Sequence, residues 1–262
     1  MNRRSLLGVA AALGLFAGTL TTVDAATAAT KRVMLYGDSN TWGFIPIKEG
    51  APSTRYPENE SWPGVLQAEL GDDYEVVVEA LNGRTTDLDD PTVPQVGGAG
   101  LDGAAYLPAA IASHLPLDLI VIMLGTNDLK AMYKRSPLRI ALGVGKLVDL
   151  VQTAGEVGTN YPAPKVLVLC PPPLGPLAPQ MFADMFAGGI EKSKELPPYY
   201  RAIATAAGAE FLDLGTLTPH RRHGWYPLDR GRSAGNRRGR RRARQEDSAL
   251  NNGWPFAGRC CL

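Results

Sequence analysis

The sequence predicts an α/β fold, a three-layer α/β/α sandwich around a parallel five-stranded sheet. Three observations predict it. Apolar runs of strand length alternate with stretches of helical spacing, which is how βαβ units read. The segment Leu117–Leu124 (LDLIVIML) is almost wholly apolar, as a parallel strand covered on both faces has to be. The chain of 262 residues is 45% hydrophobic, enough to close one sizeable core.

Arg32–Tyr36 is the first strand and ends at Gly37. Trp62–Leu70 carries helical spacing, and Tyr74–Leu81 (YEVVVEAL) is the second strand. Leu117–Leu124 is the third. Leu138–Ala154 has the longest helical spacing. Lys165–Cys170 (KVLVLC) is the fourth strand, stopped by Pro171-Pro172-Pro173. Pro197–Ala207 is helical behind a less regular lead-in from Met181, and Glu210–Leu214 is a weaker fifth strand. In such sheets ligands gather at the C-terminal ends of the strands.

The two ends of the chain read differently from this body. Asn2-Arg3-Arg4 is basic, Leu6–Leu20 is apolar, and small-x-small cleavage options follow at Val23-Asp24-Ala25 and Ala26-Thr27-Ala28. Residues 1–29 therefore read as a signal peptide, and the protein as periplasmic or secreted in a bacterium. The apolar run is short for a membrane span, so no stable membrane anchor is expected; a retained anchor is the alternative. The formal net charge of +1 hides an asymmetry, because eleven of the 27 Lys and Arg lie beyond His220. Three cysteines, Cys170, Cys260 and Cys261, make no disulfide framework, and Cys170 reads as a buried thiol. No Cys or His cluster has metal-ligand spacing, so neither a metal nor a cofactor is expected.

Three motifs sit at strand ends. Gly37-Asp38-Ser39-Asn40-Thr41-Trp42-Gly43-Phe44 follows the first strand. A serine on a tight strand-to-helix turn exposes its hydroxyl, although the same pattern also serves as a helix cap. Asn82-Gly83-Arg84-Thr85-Thr86 follows the second, where a glycine lets the backbone N–H approach a substrate or simply makes a turn. Gly125-Thr126-Asn127-Asp128 follows the third, and Asn127 offers a side-chain donor. Donor-bearing turns at three strand ends suit acyl transfer, in which a nucleophile attacks a carbonyl and fixed N–H groups hold the oxyanion. Trp42 and Phe44 read as pocket lining or as packing. Arg84 reads as exposed or salt-bridged, Asp128 as an orienter of its loop, and His114 as a helix C-terminal cap.

With these motifs the chain resembles the SGNH (GDSL-like) hydrolases. Gly37-Asp38-Ser39 with Thr41 and Gly43 is similar to the first sequence block of that family, Gly83 to the second, and Gly125-Thr126-Asn127-Asp128 to the third. Trp62-Pro63-Gly64, Asp89-Asp90-Pro91 and Pro171-Pro172-Pro173-Leu174 resemble its arylesterase and acyltransferase branch, whose members act on short acyl esters. The resemblance implies a flavodoxin-like sheet layout over residues 30–218. It implies Ser39 as nucleophile, with Ser39 N–H, Gly83 N–H and Asn127 Nδ2 as the oxyanion hole. The expected partner is a small-molecule ester substrate; a homo-oligomer is compatible with the sequence, and no nucleic acid is expected.

The family's last block, Asp-x-x-His, supplies a general base and the carboxylate that orients it. It is absent here. After Asp213 the histidines are His220 and His223, and neither has an aspartate three residues earlier. Arg221–Arg244 holds ten arginines, and residues 219–262 read as an aberrant, disordered tail. A shifted reading frame explains both features. His220–Leu228 can be encoded CAC CGA CGG CAT GGA TGG TAT CCA CTT, and loss of one base gives Thr-Asp-Gly-Met-Asp-Gly-Ile-His. Trp225-Tyr226 forces the shifted glycine; the other motif residues are permitted by codon choice. Arginine codons shifted by one base become Ala, Gly or Val codons, so an Ala-rich closing helix out of frame looks like an arginine run. The sequence thus predicts a serine esterase acting through an acyl-Ser39 intermediate and impaired as written. Its rivals are a catalytically dead ester- or carbohydrate-binding protein, and an Arg-tail interaction protein on an esterase fold.

Overall fold

The computed structural model describes residues 29–45, 54–92, 98–154 and 160–217. The predicted signal peptide up to residue 28 and the Arg-rich tail, with His220, His223, Cys260 and Cys261, lie outside the described residues.

Five parallel strands form the sheet: β1 (Lys31–Gly37), β4 (Tyr74–Ala80), β5 (Leu119–Met123), β6 (Lys165–Cys170) and β7 (Glu210–Asp213). Between β1 and β4 the chain makes a short antiparallel ribbon, β2 (Phe44–Ile45) with β3 (Thr54–Arg55). The sheet order is β4-β1-β5-β6-β7. Counting only the strands of the sheet, that is the doubly wound order 2-1-3-4-5. The helices are α1 (Ser39–Trp42), α2 (Trp62–Leu70), α3 (Gly103–His114), α4 (Pro137–Gln152), α5 (Gln180–Met185), α6 (Gly189–Lys194) and α7 (Leu196–Ala206).

The pleat sorts the strand residues into two layers. Met34 and Tyr36 of β1, Ile120 and Ile122 of β5, and Val166 and Val168 of β6 face α3, α4 and α7, meeting Leu107, Val144, Leu147 and Tyr200. Val33, Leu35, Val121, Met123, Leu167 and Leu169 face the other way and pack with Trp62, Leu66 and Leu70 of α2. Burial on both faces is why these strands read as unbroken apolar runs.

Local signals set the helix starts. Ser61 accepts from Gly64 N with Pro63 in the first turn of α2, Asp102 accepts from Ala104 N and Ala105 N of α3, and Ser136 accepts from Arg139 N before Pro137 of α4. The sequence pattern shows little of α3 but its end, because the segment is Ala-rich and holds Pro108. β5 is shorter than the apolar run, since Asp118 Oδ2 accepts from Arg32 N at 2.8 Å beside the strand. His114 is not the C-terminal cap expected of it. It is the last residue of the helix, but its ring lies 2.7 Å from Glu79 Oε1 and the cap position is Leu115.

Candidate active site

Parallel pairing sets Gly37 of β1 opposite Ala80 of β4 and Met123 of β5, so three adjacent strands end at one level. At each end the backbone turns through a glycine. A Cβ on Gly37 would lie 2.1 Å from Thr41 Oγ1, so only glycine lets α1 fold back over the strand. Asp38 then caps the four-residue α1 by accepting from Asn40 N at 2.9 Å. Ser39 is its first residue and half-buried. Among the described residues its hydroxyl has no hydrogen-bond partner.

Beyond β4, Gly83 has φ +88°, the left-handed region that side chains resist. Its N–H donates to no described residue. Beyond β5, Gly125 has φ +117° and no room for a Cβ, which would meet the Tyr200 hydroxyl at 1.9 Å. That hydroxyl donates to Leu124 O at 2.9 Å, locking the turn that delivers Asn127.

Buried polar bonds stitch the three turns together. Asn127 is 6% exposed, and its Nδ2 donates to Arg84 O at 3.1 Å and reaches Asp38 Oδ2 at 3.4 Å. It therefore touches the residue after Gly83 and the residue before Ser39. The second contact is long, which leaves that N–H able to turn to a ligand. Asn40 Nδ2 donates to Thr126 Oγ1 at 3.2 Å, tying the first motif to the third. Asp128 ties the second to the third: its carboxylate accepts from Thr86 Oγ1 at 2.6 Å and Thr86 N at 3.0 Å. Arg135 bridges it to Asp87, at 3.2 and 2.6 Å respectively. Asp128 is thus a loop anchor.

Burial sets the electrostatics. It pushes the Asp38 carboxyl up to about 7, against the opposing pull of the Asn40 N–H and the Arg84 charge. It likewise lifts Asp128 to about 6 despite the bonds from Thr86. The Cys170 thiol, at the end of β6, is buried and raised well above its ordinary range by desolvation. Lys130 and Asp90 form a buried pair at 2.6 Å that clamps the turn after Thr86. Trp42 and Phe44 are half-buried, and the Arg55 guanidinium lies 5.1 Å from the Trp42 ring.

Arg84 is neither exposed nor salt-bridged, contrary to the sequence reading. It is 3% exposed, and none of the described carboxylates pairs with it. A cavity of about 400 Å³ opens between α2 and β4, with Arg55, Glu58, Gln67 and Val78 in its wall. Ser39, Gly83 and Asn127 do not line it, so the strand ends and not concavity define the candidate site. Among the described residues His114 is the one histidine; no group of three His, Cys, Asp or Glu gathers to hold a metal, and no helix is long and apolar enough to cross a membrane.

Comparison with known proteins adds kinship to this geometry. The sequence profile of the GDSL-like lipase/acylhydrolase family matches residues 35–246. Est24, a carbohydrate acetylesterase from Sinorhizobium meliloti, is 53% identical with a TM-score of 0.67, over 71% of this chain and 85% of its own. The native aryl esterase of M. smegmatis is 51% identical with a TM-score of 0.67, over the same shares. A carbohydrate acetylesterase family member from Sinorhizobium meliloti is 40% identical with a TM-score of 0.62, over 71% of this chain and 84% of its own. No curated protein sequence matches.

Proposed function

The chain belongs to the GDSL-like lipase/acylhydrolase family, the SGNH hydrolases, and from its kinship as a carboxylic ester hydrolase we propose that Ser39 is the nucleophile of a two-step acyl transfer. Ser39 Oγ attacks the ester carbonyl and gives its proton to a general base. The tetrahedral oxyanion rests against Ser39 N–H, Gly83 N–H and the Asn127 amide. Collapse expels the alcohol with the base's proton and leaves acyl-Ser39, which water or a second alcohol then cleaves. The observation that carries this reading is the Asn127 amide. It touches both Arg84 O and Asp38 Oδ2, while the neighbouring Gly83 N–H and Ser39 hydroxyl have no described partner. The substrates proposed are short acyl esters, with acetyl on an aryl or carbohydrate alcohol as the model. Export to the periplasm or the medium belongs to the same proposal.

The chain as written lacks the Asp-x-x-His that would supply the base, and His220 or His223 is the alternative. His114 is committed to Glu79, with no described contact to Ser39. In this proposal a one-base shift after Pro219 returns Asp-Gly-Ile-His and the Ala-rich closing helix. The test is turnover of an aryl acetate by the chain as written and by a version shifted by one base, each beside its Ser39→Ala variant. Ser39-dependent turnover that rises on restoring the frame supports the proposal. Equal Ser39-dependent turnover sinks the frameshift, and none in either version makes the protein a binding module.

A further inference from the structure

Arg84 sits where a carboxylate partner would ordinarily be found, and there is none among the described residues. Its guanidinium lies 4.5 Å from the Tyr36 ring and 5.0 Å from the Tyr106 ring. Tyr36 is fully buried; Tyr106 is 37% exposed and is held over the cation by its hydroxyl, which donates to Glu79 Oε2 at 3.2 Å. One terminal nitrogen, Nη1, donates to Gly37 O at 3.2 Å and to Glu79 O at 2.7 Å. The Nε is buried without a partner, so this charge is neither neutralised nor fully hydrogen-bonded. A native structure keeps such a group only for a reason.

Its position supplies one. Gly37 O belongs to the turn that carries Ser39, and it also accepts from Leu81 N at 3.2 Å on the way to Gly83. Arg84's own carbonyl holds the Asn127 amide at 3.1 Å. We propose that Arg84 is the positioning residue of the oxyanion hole: its side chain fixes the turn carrying Ser39, its carbonyl fixes Asn127, and its charge has no carboxylate partner among the described residues. The inference rests on Ser39 being the nucleophile. It assigns Arg84 no contact with substrate. A fork-shaped donor between two rings suits this task, and the point charge of a lysine reproduces it only in part.

Three substitutions separate charge, shape and simple packing, all made in the full chain with the frame restored as well as in the chain as written. Arg84→Met keeps bulk and removes charge and donors, Arg84→Lys keeps charge, and Arg84→Ala empties the slot beside the exposed Tyr106 edge. Misplacement of reacting groups by about 1 Å can cost on the order of a hundredfold. Arg84→Met is therefore expected to lower the Ser39-dependent kcat on aryl acetate by roughly 10- to 100-fold with KM changed little. Arg84→Lys should recover part of the loss. Guanidinium ion at millimolar concentration should raise the turnover of Arg84→Ala several-fold and leave the parent unchanged, with sodium chloride as the control. A second readout is independent of turnover. The Asp38 carboxyl, faced by Asp128, Arg84, Asn40, Thr126 and Tyr200, should titrate higher in Arg84→Met by carbon-detected NMR and return toward the parent in Arg84→Lys. Intact Ser39 dependence with an indifferent, folded Arg84→Met overturns this inference alone, as does an Asp38 titration that does not move. If Arg84→Met does not fold, failure of guanidinium to rescue Arg84→Ala overturns it instead. Turnover unchanged by Ser39→Ala overturns the reading of the site and this inference with it.

Discussion

The C-terminal edge of the sheet has two sides. At β4, β1 and β5 each strand end runs into a glycine turn, and the turns are joined by bonds from Asn127, Asn40 and Thr86 that cross from one motif to another. Beyond β6 and β7 no described hydrogen bond joins one strand-end turn to the other, and Leu174 N donates instead to Ser193 Oγ at 2.9 Å. Cys170 leads into three prolines, and the Asp213 carboxylate accepts from Gly215 N only two residues on. The described chain ends shortly after, at Leu217. The first side is a set of turns whose described cross-links all come from residues that precede β7. The second is where the Asp-x-x-His implied by the resemblance would follow. On the function proposed above, a protein built this way can lose the base and keep these strand-end turns folded.

The largest effect expected from this division is on turnover. Hydrolases that lose triad members keep a residual acceleration of roughly 10³ to 10⁴ over water, and lose about 10⁴ when the base is misdirected. Restoring the frame after Pro219 should therefore raise aryl acetate turnover by about 10³- to 10⁴-fold. A steady-state assay of the two versions decides it, and a gain under tenfold breaks the division.

Next is the stability of the donor side. Lys130→Met leaves Asp90 buried and alone, and should cost about 3–5 kcal/mol in urea unfolding. Replacing both partners by apolar residues should recover most of that loss. If the single variant costs under about 1 kcal/mol, the pair is not the clamp assigned to it.

Smaller in free energy, but sharper for the comparison, is Asn127→Ala. Loss of one oxyanion donor costs about 10² to 10³ in kcat. If the two sides are independent, the factor should be the same in the chain as written and in the restored one. A factor that disappears without the base would mean the donor array works only with its partner present.

What the sequence disclosed and what it withheld divide along physical lines. Leu117–Leu124 and Lys165–Cys170 were legible because strands buried on both faces have no polar alternation to confuse. That Gly83 and Asn127 sit in turns beyond strands was legible because each follows an apolar run. α3 was hidden by its alanines and Pro108, and the two-residue strands β2 and β3 fall below any periodicity. Arg84 was misjudged because its burial depends on Tyr36 and Tyr106, brought to it by the sheet and by α3, and sequence spacing says nothing of that. The burial of Asp38 was equally invisible, since a carboxylate beside an exposed serine reads as a surface cap.

The last effect is on stability against pH, and it comes from that carboxyl. Asp38 is 1% exposed and lifted to about 7, whereas an unfolded aspartate titrates near 3.9. The folded state therefore binds the proton more tightly than the unfolded one. The stability this contributes is fully present below about pH 4 and is lost as pH rises through about 7. Asp128 acts in the same sense, but only up to about 6. Between pH 6 and 7 the falling contribution should be mostly Asp38's, with a slope of at most about 1.4 kcal/mol per pH unit. The Asp38→Asn substitution keeps an acceptor for Asn40 N and cannot titrate. Urea unfolding of the parent and Asp38→Asn at pH 4, 5, 6 and 7 should give a difference curve that moves in the variant's favour as pH rises. Its last step, from 6 to 7, should persist after Asp128→Asn is added to both proteins. A flat difference curve would mean that the carboxyl is ionised throughout, held by Arg84 more firmly than burial opposes it. The strand-end turns would then carry more charge than their hydrogen bonds imply, and the Arg84 cation would be the reason.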